Sequence, residues 1–231
     1  MKRLKNHYAC WGLFHDWDDA RADFQRRAVL EIRAGKPSVL APLPPEKLAE
    51  QPEALVVMMN PGSSAPKPGF GSREHAGLLV PTKPDAVQYR IMRVMEAVGM
   101  THVRVVNLSD VRAAKSADLF ALISKGATQA DLGCVFAEAN AAIGTDVLGA
   151  PLVICAWGLD KRLASLAVEA QAWVDAQGVA TAGCRSDEET DFPAWRYPKP
   201  VRNWALARAW LESVTEQVSA LYASTPTSAQ S

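Results

Sequence analysis

No apolar run in this sequence approaches the roughly 20 residues needed to cross a bilayer, so no membrane-spanning segment is expected. Net charge is missing as well: 25 Lys and Arg side chains offset 25 Asp and Glu. Without a global field, avid non-specific binding to nucleic acid or to a membrane surface is disfavoured, although a locally basic rim is compatible with a neutral total. Cysteine is scarce, and Cys10, Cys134, Cys155 and Cys184 show no CxxC spacing. That argues against a zinc or iron–sulfur framework and fits a reduced, cytoplasmic protein with free thiols. The opening MKRLKNHYACWGLFHDWDDA is interrupted at once by acids and aromatics and lacks the pattern of a secretory leader. Neither a P-loop nor a GxGxxG occurs, which weighs against an ordinary nucleoside-triphosphate or dinucleotide enzyme. No cofactor is expected, and no metal site stands out.

What is present is a chain of 231 residues, 48% hydrophobic and 22% charged, enough for one well-packed domain with trimmings. Residues 17–35 have the spacing of a polar amphipathic helix closed by Gly35, and a proline-rich connector follows. From Ala54 onward strands alternate with helices. ALVVMMN, HVRVVNL and PLVICAWG are apolar strands, and VATAG is a short fourth one. Between and after them, KPDAVQYRIMRVMEAVGM, SADLFALISKG, AEANAAIGTDVLG, DKRLASLAVEAQAWVDAQG and NWALARAWLESVTEQVSALY have helical spacing. RSDEETDFPAW is an acidic loop, and the tail ASTPTSAQS has a disordered composition. The expected organisation is a helical extension and connector over 1–50, an α/β core over 51–214, and the end of the last helix with the tail over 215–231. Such alternation predicts a three-layer α/β/α sandwich around a mostly parallel sheet of about four strands.

In a sheet of that kind the ligand crevice lies beyond the carboxyl ends of the strands. The three clearest strands end on Asn60-Pro61-Gly62, Asn107-Leu108-Ser109 and Trp157-Gly158, and the possible fourth is followed by RYPKPVRN. These places are expected to meet. Each also has a plainer reading. Asn60 suits a turn, Arg112 suits a surface pair with Asp110 or Asp118, Trp157 suits packing, and Asn140 suits the ordering of a loop. Lys67, Arg73 and Lys83 in one loop, and Arg196, Lys199 and Arg202 in another, make a locally basic rim if both flank one crevice. Of the histidines, His75 alone lies in a loop that could border it.

The ordered set MMNPGSS, VVNLSDVRA, EANAAIG, VICAWG and a late proline motif resembles domain-of-unknown-function family 1643 of bacterial and phage proteins, over roughly residues 54–212. More distantly, it resembles the uracil-DNA glycosylases of the single-strand-selective and mismatch-specific types. The resemblance implies a uracil-DNA-glycosylase-like fold and a pocket for a nucleobase, in a nucleotide or in single-stranded or duplex DNA. It implies that Asn60 positions a water, that Phe70 stacks on the base and that Asn107 reads its polar edge. Gly62 and Ser63 would offer backbone N–H groups, while Arg112, Lys199 and Arg202 would meet phosphate. Tyr197 stands where those enzymes carry a histidine. That departure leaves two readings open: hydrolysis of an N-glycosidic bond, with Asn60 and Tyr197 as its catalytic pair, or recognition without chemistry by a binding module of the same fold. The oligomeric state cannot be read from the sequence.

Overall fold

The structure, a computed structural model, describes residues 2–15, 26–35, 37–136, 148–198 and 203–224. In chain order its elements are α1 (Lys2–His7), β1 (Tyr8–His15), β2 (Arg26–Ala34), β3 (Ala54–Met58), β4 (Ala65–Pro66), β5 (Leu79–Lys83) and α2 (Gln88–Val98). There follow β6 (His102–Asn107), α3 (Ser116–Ser124), β7 (Leu152–Ala156), α4 (Ala164–Gln177), β8 (Ala180–Ala182) and α5 (Trp204–Ser224). The strands form an eight-stranded sheet in the order β4-β5-β1-β2-β6-β3-β7-β8.

The sheet has two halves. From β6 to β8 every pairing is parallel, and this half consists of the four strands that the sequence predicts. From β4 to β6 every pairing is antiparallel, so the sheet as a whole is mixed and twice as wide as expected. The helix expected over 17–35 is not formed where that segment is described, because Arg26–Ala34 is a central strand between β1 and β6. Its neighbours explain the difference. Val29, Leu30 and Ile32 are fully buried, and the charges that imitate a helix's polar face, Arg27 and Glu31, are buried too. Tertiary pairing here overrides the local pattern. The expected helix AEANAAIGTDVLG lies mostly outside the described residues, as does the tail.

Helices cover both faces. On one, α2 and α5 bury Val87, Ile91, Met92, Met95, Trp210 and Val214 against Ala54, Val56, Met58, Val103 and Val105. On the other, Leu119 and Phe120 of α3 and Leu166, Ala167 and Ala170 of α4 pack on Leu55, Val57, Val106 and Val153. The alternation along each parallel strand is the period-two rule of a sheet buried on both sides. No disulfide joins the four cysteines. Burial pushes the Cys10 and Cys155 thiols up to about 12, and Cys184 is half-buried. Among the described residues, no helix is long and apolar enough to cross a membrane.

Candidate functional site

The chain leaves β3 with β6 on one side and β7 on the other, so the carboxyl end of β3 is a topological switch point. Asn60 follows directly. Its Nδ2 donates to the carbonyls of Ala113 at 2.9 Å and Val111 at 3.4 Å. Two carbonyl acceptors fix which end of the amide carries the hydrogens. Among the described residues Oδ1 accepts no hydrogen bond, and Asn60 lines a cleft of about 580 Å³, a volume usual for a small-molecule site. The cleft is also bordered by Met59, Gly62, Ser63, Lys83, the Pro84–Val87 stretch, Ala113, Ser116 and Tyr197. The long loop after Asn60 therefore supplies part of the wall, with Gly62 in the left-handed region at φ +63°.

Four of the residues singled out from the sequence, Asn60, Gly62, Ser63 and Tyr197, thus share one cleft. Tyr197 reaches it from the far end of the chain and packs beside the α2–α5 core. Burial, with the nearby Asp85 carboxylate, raises its phenol well above the ordinary range, so its hydroxyl is a neutral donor at any physiological pH. Asn107 does not line the cleft. Strand alternation places its side chain with Val103 and Val105, on the face covered by α2 and α5, and opposite Met58 in the register. There it is buried, with neither Oδ1 nor Nδ2 hydrogen-bonded among the described residues.

Phe70 stands apart from the cleft, edge-on to His75 at 5.7 Å between ring centroids. Arg112 is half-buried; its Nε donates to the Ser64 carbonyl at 2.7 Å, and it borders a second, more open hollow beneath the Ala65–Ser72 loop. Burial lowers its pKa. Asp110 pairs instead with Arg26 and His15, each at 2.9 Å. Trp157 is wholly buried, donates to the Pro193 carbonyl at 2.7 Å and packs edge-on against Trp195. Lys199, Arg202 and Asn140 lie outside the described residues.

The cleft also holds groups that the sequence reading passed over. Asp85 Oδ1 accepts from the backbone of Val87 at 2.7 Å and Gln88 at 3.2 Å, while Gln88 Oε1 accepts from Asp85 N. This is a reciprocal cap on α2, and the run Asp85-Ala-Val-Gln88 is its local signature. Lys83 stands two residues earlier on the same wall. Arg27, at 1% exposure, lies within electrostatic range of Asp85, Tyr197 and Arg112, and no local pattern announces it.

No family model, curated protein or solved structure matches this chain.

Proposed function

We propose that the cleft recognises a nucleobase, in a nucleotide or in DNA, and hydrolyses its N-glycosidic bond in the manner of the uracil-DNA glycosylases that the motifs resemble. The observation that carries this reading is the one-sided anchoring of Asn60. With Nδ2 held by two backbone carbonyls, Oδ1 is left as an oriented acceptor on the cleft wall. Such an oxygen cannot take a proton strongly, but it can hold a water in line with an oxocarbenium-like carbon. Tyr197, kept neutral, donates a hydrogen bond to the departing base. The base must leave its stack to enter, at least cost from a single strand, a mismatch or a free nucleotide and at greater cost from a paired duplex.

One observation favours the milder reading, a module that binds without turnover. Asp85, whose carboxylate is the acid bordering the cleft among the described residues, spends Oδ1 on the α2 cap and is poorly placed to act as a base. Incubation with oligonucleotides containing uracil, hydroxymethyluracil or hypoxanthine separates the two. Hydrolysis predicts alkali-labile abasic product from wild type, at a rate lowered about 10²-fold or more by Asn60→Ala. No product from any of the three, and no free base from uridine monophosphate, at high enzyme concentration leaves only the binding module.

A further inference from the structure

Two adjacent arginines at the start of β2 have opposite fates. Arg26 pairs with Asp110 at 2.9 Å. Arg27 is 1% exposed, and its Nε and Nη1 are buried with no hydrogen-bond acceptor among the described residues. Two of its three guanidinium nitrogens have thus lost their water without gaining an acceptor among the described residues. Asp85 attracts it, yet no hydrogen bond joins the two, and Asp85 Oδ1 is committed to the α2 cap. Arg27 does not itself line the cleft, but its backbone N donates to the Asp110 carbonyl at 2.8 Å, just past the carboxyl end of β6, and the side chains that feel its charge, Asp85 and Tyr197, both border the cleft.

The rest of the cleft has the same electrical character. Lys83 lines it, and two helices begin there: α2 through the Pro84–Val87 approach, α3 through Ser116. The N-cap residue of α3, Lys115, makes no side-chain cap, and the helix begins at the cleft with Ser116. Asp85 on the lining and Asp118 in the first turn of α3 offset part of this positive potential.

We infer that Arg27, directly behind the residues that line the cleft, is the anchor of an anion receptor that takes a terminal phosphate on the bound ligand. A phosphodiester inside a strand cannot reach a guanidinium buried to this extent. The group must therefore be a monoester, on a free nucleotide or at the end of a strand. A planar, multiply donating guanidinium is the side chain best matched to such an oxyanion. The inference deepens the nucleobase reading of this cleft and rests on it for the organic part of the ligand. The requirement for an anion comes from Arg27 alone.

The test is titration of the full chain, by calorimetry and thermal shift, with inorganic phosphate, uridine, uridine monophosphate, and short single strands with or without a terminal phosphate. Wild type is expected to bind the monophosphate about ten- to a hundred-fold more tightly than uridine. Arg27→Gln is expected to erase that difference. Strands gaining equally from a terminal phosphate place the natural group at a strand end; a gain confined to the mononucleotide places it on a free nucleotide. Equal binding of uridine and its monophosphate by wild type overturns the inference, even where Arg27→Gln fails to fold, and so does a phosphate preference that survives in Arg27→Gln. Arg27-dependent binding of phosphate with no gain from any base keeps the receptor and removes the nucleobase reading. Tight uridine binding with no contribution from phosphate does the reverse.

Discussion

Gly62 occupies φ +63°, and a Cβ built there would lie 2.9 Å from Asp85 Oδ2. Gly62→Ala should therefore cost about 1–2 kcal/mol for the left-handed backbone, and it should also displace a carboxylate that caps α2 and faces Arg27. The expected outcome is a lower urea midpoint together with weaker binding of any cleft ligand. A variant as stable as wild type would mean that the loop takes up the strain elsewhere. The importance of Asn60-Pro61-Gly62 was legible in the sequence because turn chemistry is local. The direction of the Asn60 amide was not, since it depends on carbonyls more than fifty residues away. Asn107 was legible as a strand end. Its burial without a hydrogen-bond partner among the described residues is a tertiary fact, and Phe70 shows the converse, a loop aromatic that found a histidine neighbour instead.

At the level of elements, α2 is held by the reciprocal Asp85–Gln88 cap at one end and by Gly99 in the left-handed region at the other. Asp85→Ala removes both the cap acceptor and the negative charge, whereas Asp85→Ser keeps an acceptor. Urea unfolding should find Asp85→Ala less stable than Asp85→Ser by about 1 kcal/mol, the usual worth of a cap. Equal losses would show that the carboxylate acts only through its charge on Arg27. The parallel strands and the helices between them were readable because each is uniformly apolar or regularly periodic. The antiparallel strands were not. In β2, buried Arg27 and Glu31 interrupt the apolar pattern, and in β5 Pro81 sits opposite Trp11, where a proline argues against a strand. Charges buried inside a sheet look, in one dimension, like the wet side of a helix.

Across the whole molecule, the two halves of the sheet meet at the β2–β6 pairing, where Glu31 stands opposite Arg104. Both are buried, and the Glu31 carboxylate is hydrogen-bonded by Arg104 and by His102. Burial by itself would raise the Glu31 carboxyl; the His102 hydrogen bond and the Arg104 charge overcome it and hold the pKa below its ordinary 4.5. A carboxylate depressed on folding contributes stability that is complete above 4.5 and lost as pH falls through the lower folded value. Glu31→Gln should thus cost about 3–5 kcal/mol at neutral pH, the cost of stranding a buried partner. It should also flatten the acid side of the stability curve, as urea midpoints measured from neutral pH downward will show; an unchanged acid slope would assign the acid sensitivity to other carboxylates. The distribution of thiols gives the protein a practical handle. With Cys10, Cys134 and Cys155 shut inside the core, an alkylating dye should react first at Cys184, whose carbonyl accepts from Arg196 N at 2.7 Å, one residue before Tyr197. A fluorophore attached there would sit beside the segment that carries the phenol, and its emission should report occupancy without any engineered cysteine.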